Sequence, residues 1–278
     1  MCEICLWGNA TDLSLLTNLS YDDIQKLQGS AARKAQEKNI IANDFERAFS
    51  TLHAAKARGD PDRRVDIVLD NAGFELYVDL LLAGYLLQSG LATTIVLHPK
   101  NIPWFVSDVV PRDFAALFEV LLNAKCFYET PTDDDRARGV APQALSREEE
   151  EAVAALARNW SELYAEGKIV LRPNAFWTEG GSFWRLPTSA PALFEDLKLS
   201  ELVIFKGDLN YRKLVGDVSG ERFGGFRLWK LANGCLIGYV GSDYTVHRGD
   251  WTAWAKVRDA HAGAQDLQGG CRCWLARG

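Results

Sequence analysis

At 278 residues, with 47% apolar and 24% charged side chains, the chain has the composition of a globular protein and room for one large α/β domain or two small ones. Its net charge of −6 argues against a nucleic-acid partner and leaves only a local basic pocket for an anion. No apolar run approaches the roughly 18 to 20 residues of a membrane span and no basic region precedes an apolar stretch at the N-terminus, so no membrane partner and a cytoplasmic location are expected.

Ser20-Tyr-Asp-Asp23 has capping-box spacing and predicts a helix to about Gln36, and Asn43-Asp-Phe-Glu46 predicts another that ends near Gly59-Asp-Pro61. The run Val65 to Glu75, VDIVLDNAGFE, then drives an apolar strand into Asp70, Asn71 and a glycine. The strand reads as covered on both faces, which places Asp70 and Asn71 at its carboxyl end, where open α/β sheets bind ligands. Gly73 allows a tight turn into a helix from Phe74 to Gln88 that is apolar all round. Two readings of Asp70-Asn71 stand side by side. One is a pair of hard-oxygen ligands for a divalent cation, and the other is an Asx turn that caps the helix.

Thr93 to His98 predicts a second strand, parallel to the first through a right-handed crossover. Pro103 to Asp108 leads into an amphipathic helix from Arg112 to Ala124, and Thr130 to Pro142, rich in Asp, Arg and Pro, reads as a solvated loop. Ser146-Arg-Glu-Glu149 is a further capping box, heading a helix to Glu166, and Ile169 to Leu171 is a short strand. Between Pro173 and Pro191, Phe176, Trp177, Phe183 and Trp184 mark an irregular aromatic loop that either covers a site or packs beneath itself. Leu202 to Phe205 is another buried strand with a polar end, Lys206 to Lys213, and Cys235 to Tyr239 is a last strand. The six cysteines include Cys2, Cys5, Cys271 and Cys273, whose two terminal pairs could form a four-thiolate zinc site. The single residue between Cys271 and Cys273 favours reduced thiols instead.

Asp70, Asn71 and Asp108 follow consecutive strands of one sheet, so a shared cation is geometrically open to them, and all-oxygen ligation favours magnesium or manganese over zinc. Lys206, Arg212, Lys213, Arg227 and Lys230 supply positive donors for a phosphate, although Lys213 reads as an ordinary surface residue. Asp208 and Asn210 suit hydrogen bonds to sugar hydroxyls. None of the four histidines stands beside a nucleophile, and serine-hydrolase, zincin, Walker and dinucleotide-binding motifs are all missing from the sequence.

Four segments, LWGNATDLSLL (Leu6 to Leu16), VDIVLDNAGFEL (Val65 to Leu76), PWFVSDV (Pro103 to Val109) and FKGDLNYRKLVGD (Phe205 to Asp217), together resemble the metal-dependent damage-control phosphatase family. The resemblance is to the branch also called protein-glutamate O-methyltransferase, or acidic-residue methyltransferase 1-like. It implies a Rossmann-like three-layer αβα sandwich with a mostly parallel central sheet. It also implies a divalent metal such as Mn2+, Co2+, Ni2+ or Mg2+, and hydrolysis of small-molecule sugar phosphates such as fructose 1-phosphate. Carried onto this sequence, it makes Asp70, Asn71 and Asp108 the catalytic metal ligands, with Asp70 and Asn71 also touching substrate. Asp208, Leu209, Asn210, Tyr211 and Arg212 would bind the sugar phosphate and Lys230 its phosphate, in an Arg227-Leu-Trp-Lys230 motif that lacks the branch's threonine. Glu75, with Asp108, matches the S-adenosylmethionine position of the branch's other activity.

The expected organisation is a helical lead-in over residues 1–60, with the family's larger N-terminal helical region mostly absent, a catalytic core over 61–242 and a divergent tail over 243–278. A metal-dependent sugar-phosphate phosphatase is the leading reading. Its alternatives are an S-adenosylmethionine-dependent protein carboxyl methyltransferase, disfavoured by the missing glycine fingerprint, and a truncated, inactive sugar-phosphate-binding homologue.

Overall fold

The computed structural model describes residues 5, 45–131, 133–139, 141–142, 144–215, 236–240, 242–243 and 276–277. The expected Ser20 helix, the LWGN segment, the Arg227 to Lys230 motif, most of the C-terminal tail and the cysteines at 2, 235, 271 and 273 lie outside the described residues.

In chain order the main elements are α1 (Phe45–Arg58), β1 (Arg64–Val68), α2 (Phe74–Gln88), β2 (Thr94–His98), α3 (Pro111–Leu122), α4 (Ala124–Glu129), α5 (Asp133–Arg138) and α6 (Arg147–Ala165). There follow β3 (Ile169–Leu171), α7 (Pro191–Leu197), β4 (Leu202–Lys206), α8 (Gly207–Val215) and β5 (Leu236–Val240). The five strands pair in the order β3-β2-β1-β4-β5, and every pairing in that sheet is parallel. A parallel sheet hides both faces, which is why β1 and β4 read as near-continuous apolar runs.

Strand parity sorts the core into two layers. Val65, Ile67, Leu69, Ile95, Leu97, Leu202 and Ile204 pack with buried residues of α1, α2, α3 and α6. Their neighbours Val68, Val203 and Phe205 pack on the other side with Phe176, Trp177, Phe183, Leu186, Leu193 and Leu197. Such side chains, fully buried, each contribute about 1.5–3 kcal/mol. The aromatic loop is therefore the second apolar layer, packed beneath itself. Trp177 meets His98 edge-on at 5.4 Å and Phe183 meets Phe205 at 5.4 Å.

Local signals set the helix ends. Pro111 opens α3, and Asp113 Oδ2 accepts the Val110 amide at 2.9 Å. Ser146 caps α6 reciprocally with Glu149, as the capping box predicts. One expectation fails: within the Thr130 to Pro142 stretch, Asp133–Arg138 forms α5, where an acidic first turn and Arg136 and Arg138 in the last turn complement the helix dipole. Its Asp and Arg content read as solvation; their order is what favours a helical turn.

Candidate active site

From β1 the chain proceeds outward to β2 and β3, then returns to the other side of β1 to form β4. The segments leaving the carboxyl ends of β1 and β4 therefore part at a switch point, which opens the crevice used for ligands in open α/β sheets. Asp70 and Asn71 follow β1 on one side of it, and Lys206 and Gly207 end β4 on the other.

The chain after β2 folds back to this point. An isolated antiparallel bridge pairs Asn71 with Asp108, and the Val109 amide donates to the Asp70 carbonyl and the Ala72 amide to the Ser107 carbonyl, each at 2.8 Å. Asp70, Asn71 and Asp108 are thus brought together, and all three are buried. Gly207, at φ +77°, makes room for the first of them: a Cβ there would stand 1.6 Å from Asp70 Oδ2. The helix-cap reading of Asp70-Asn71 is not what forms. The N-cap of α2 is Gly73, at φ 73°, with no side-chain cap.

Asn71 spends both amide hydrogens on carboxyl groups, with Nδ2 at 2.9 Å from Asp70 Oδ2 and 2.9 Å from Glu75 Oε2. Its Oδ1 turns the other way and accepts from Ser107 Oγ at 2.7 Å. Asp108 Oδ2 accepts the Phe105 amide, while its Oδ1 lies 3.8 Å from Nζ of the fully buried Lys100. Lys100 also donates to the Leu69 carbonyl at 2.5 Å, tying the ends of β1 and β2 together.

Behind Asn71 lies a second buried charge. Lys206 Nζ sits 2.8 Å from Glu75 Oε1, 3.0 Å from Asp79 Oδ1 and 3.1 Å from the Cys5 carbonyl. Burial opposes its charge, yet Asp79, Cys5 and Glu75 hold the ammonium well above the ordinary lysine range. Burial pushes Asp79 up to about 6 against the pull of Lys206. Cys5, whose Sγ donates to Asp79 Oδ1 at 2.8 Å, is a free buried thiol.

The polar end of β4 folds into α8. Leu209, Asn210 and Tyr211 are buried, Arg212 is half-buried, and the Asp208 side chain and Lys230 lie outside the described residues. Asn210 faces inward: its Nδ2 donates to the carbonyls of Lys206 at 2.7 Å, Leu69 at 3.2 Å and Val68 at 3.3 Å. It clamps the ends of β1 and β4 from within. Lys213 is also buried, contrary to its expected surface position, and donates to the carbonyls of Trp177 at 2.9 Å and Glu179 at 2.7 Å. Burial first, and Lys100 second, bring it down to about 8.

Lys100, Ser107 and Gly207 escaped the sequence reading as site residues. Parity offered a signal for Lys100, since it stands two residues beyond His98 at a strand end. Gly207 repeats the strand-then-glycine pattern of Gly73.

Among the described residues no three His, Cys, Asp or Glu side chains gather as a metal cluster. The set present is instead two carboxyls and a carboxamide whose Oδ1 points away from its acidic neighbours. By its chemistry this is a hard-oxygen donor set, of the kind that suits a divalent cation.

Residues 1–223 match the family model described as the damage-control phosphatase ARMT1-like domain. The chain is 36% identical over 222 residues to Damage-control phosphatase ARMT1 of Danio rerio, covering 79% of this chain and 44% of the relative. Identity to the Rattus norvegicus protein of that name is 38% over 216 residues, covering 77% and 43%, and to the Homo sapiens protein 36% over 221 residues, covering 79% and 44%. The chain thus spans less than half the length of these relatives. A DUF89 family protein from Pyrococcus horikoshii, a solved structure, aligns with TM-score 0.47 and 13% identity, covering 99% of this chain and 63% of that one. With a family model matched over residues 1–223 and the motif residues Asp70, Asn71 and Asp108 drawn together at the switch point, the chain belongs to the ARMT1-like damage-control phosphatase family.

Proposed function

We propose that this chain is a metal-dependent phosphomonoester hydrolase acting on phosphorylated small molecules, with sugar phosphates such as fructose 1-phosphate as its substrate class. The observation that carries the reading is the Asn71–Asp108 bridge, by which the loop after β2 brings a carboxyl to the Asp70-Asn71 end of β1 at the switch point of the sheet. The names of the curated relatives support the reaction class.

In this reading Asp70, Asn71 and Asp108 hold a divalent cation, Mn2+, Co2+, Ni2+ or Mg2+, which supplies Lewis-acid neutralisation of a phosphoryl oxygen and a more acidic bound water. Lys100 positions Asp108 from behind and closes the crevice floor to solvent. Arg212, at the end of α8, and Lys230 are the residues we assign to the phosphate. The Asp208 to Arg212 segment takes the sugar. Asn210 and Tyr211 shape that subsite from the buried side, since neither is exposed. Glu75, matched by resemblance to a methyl-donor site, is engaged by Asn71 and Lys206, and those contacts serve hydrolysis without any donor.

The test is release of inorganic phosphate from a panel of sugar phosphates with added Mn2+. Activity on fructose 1-phosphate that falls at least a hundredfold in both Asp70→Ala and Asp108→Ala is expected, on the order of the loss of a principal electrostatic group. Undiminished turnover in both variants sinks the assignment. Labelled methyl transfer to protein without metal dependence would replace it with the methyltransferase reading, and sugar-phosphate binding without turnover by the wild type would replace it with a binding homologue.

A further inference from the structure

We infer that Glu75, held by Lys206, is a positioning residue that decides which way round the Asn71 carboxamide stands, and so whether its oxygen is presented to a cation. The inference rests on the metal reading above. A carboxamide has two nearly isosteric orientations, and its surroundings must choose between them. Here the choice is electrostatic. Asn71 Nδ2 lies 2.9 Å from both Asp70 Oδ2 and Glu75 Oε2, so its two hydrogens are consumed by two carboxyl oxygens. The reversed amide would set Oδ1 against those same oxygens, acceptor to acceptor. Its carbonyl therefore faces Ser107 Oγ, at 2.7 Å, with a second lone pair remaining on that oxygen.

Asp70 cannot make this choice alone, because in the metal reading its carboxylate is itself a ligand and its oxygens are drawn to the ion. Glu75 is not so drawn. Its other oxygen, Oε1, is fixed by Lys206 Nζ at 2.8 Å, and Lys206 is locked in turn by Asp79 and the Cys5 carbonyl. Both Glu75 and Lys206 are buried, on α2 and β4, so the chain Lys206 to Glu75 to Asn71 runs between two rigid elements. Outer partners of this kind orient ligands and, when lost, weaken metal affinity by about 10- to 100-fold.

The experiment measures Mn2+ affinity of the metal-free full chain by electron paramagnetic resonance titration, with a thermal melt of each metal-free variant to establish folding. Glu75→Gln keeps size but adds a donor that favours the reversed amide, and about a 10- to 100-fold loss of Mn2+ affinity is expected. Asn71→Asp removes the distinction, since a carboxylate has no wrong way round. In that background Glu75→Gln should change affinity by no more than about threefold. Where Glu75→Gln fails to fold, Glu75→Asp serves: it keeps the charge opposite Lys206 but falls a methylene short of Asn71, with the same loss and the same rescue expected. Wild-type-like affinity in a folded Glu75 variant overturns the inference. So does an equal loss in the Asn71 and Asn71→Asp backgrounds, which would mark Glu75 as acting through charge alone. A wild type that binds no Mn2+ overturns the metal reading itself, and the inference with it.

Discussion

On the face of the sheet that packs against α2, β4 buries Lys206 between Glu75 and Asp79, whereas on the opposite face β1 buries Asp66 between Arg64, His98 and Ser200. The Asp66 cluster closes on itself. Its Oδ1 accepts from His98 Nε2 and Arg64 Nη2 at 2.7 Å each, its Oδ2 accepts from Arg64 Nε at 2.8 Å and from Ser200 Oγ, and Arg64 continues to Asp196, which also meets Arg172. Two acids are matched there by two arginines. At the crevice Lys206 meets Glu75 and Asp79, Lys100 approaches Asp108, and the Asn71 amide bridges Asp70 and Glu75. The Asp66 cluster links β1 to β2 and, through Arg64, to α7, whereas the Lys206 cluster links β4 to α2 beside the Asn71 amide. A buried carboxylate is therefore not by itself a functional signal, since Asp66 is one whose partners brace the sheet.

The sharpest way to break this contrast is Lys206→Met. It leaves Glu75 and Asp79 buried without their counter-charge, and about 3–5 kcal/mol of stability should be lost in urea denaturation. If the loss is below about 1 kcal/mol, the lysine is not what balances that face. Next in size is Gly207→Ala: its positive φ alone should cost about 1–3 kcal/mol. The added Cβ must also displace the Asp70 carboxyl, so Mn2+ binding should fall with stability. Loss of stability with Mn2+ affinity intact would separate Asp70 from the cation.

The Asp66 side predicts an acid limb. Although burial raises it, the His98 and Arg64 contacts hold Asp66 below the usual carboxylate range, and Arg64, then Arg172, bring Asp196 down to about 2. Both folded values are depressed below an unfolded value of about 3.9, so their stabilisation is complete above that pH and is lost as pH falls through about 4 towards 2. Asp196→Asn should flatten part of this limb in urea midpoints measured from pH 6 to pH 2, and an unchanged profile would remove Asp196 from the linkage. The smallest effect is expected far from both clusters. Ser146→Ala should cost about 1 kcal/mol through the lost cap of α6 and leave Mn2+ affinity unchanged.

The elements that carry these two clusters were partly legible in the amino-acid order, but the clusters themselves were not. The Asp-Asn-Ala-Gly run that follows β1, its neighbour β2, the capped α6 and the three-residue β3 all stand where local pattern placed them, because each is decided by contacts within a few residues. Lys213 shows where that reasoning stops. Its partners are carbonyls at Trp177 and Glu179, more than thirty positions earlier, and no local pattern distinguishes such a lysine from a solvated one. Asn210, read as a sugar contact, is turned inward for the same reason: the carbonyls that take its hydrogens belong to two strands.

By itself the sequence determined that this is an α/β chain whose first strand delivers an acid and an amide to its carboxyl end, since apolar runs, glycines and caps act locally. Only the tertiary structure decided what surrounds them. Strand order puts Lys206 and Gly207 beside Asp70, the returning loop brings Asp108 to Asn71, and parity sends Lys206 to one face and Asp66 to the other. These are contacts between residues far apart in the chain, and their charge balance exists only once the sheet has been assembled.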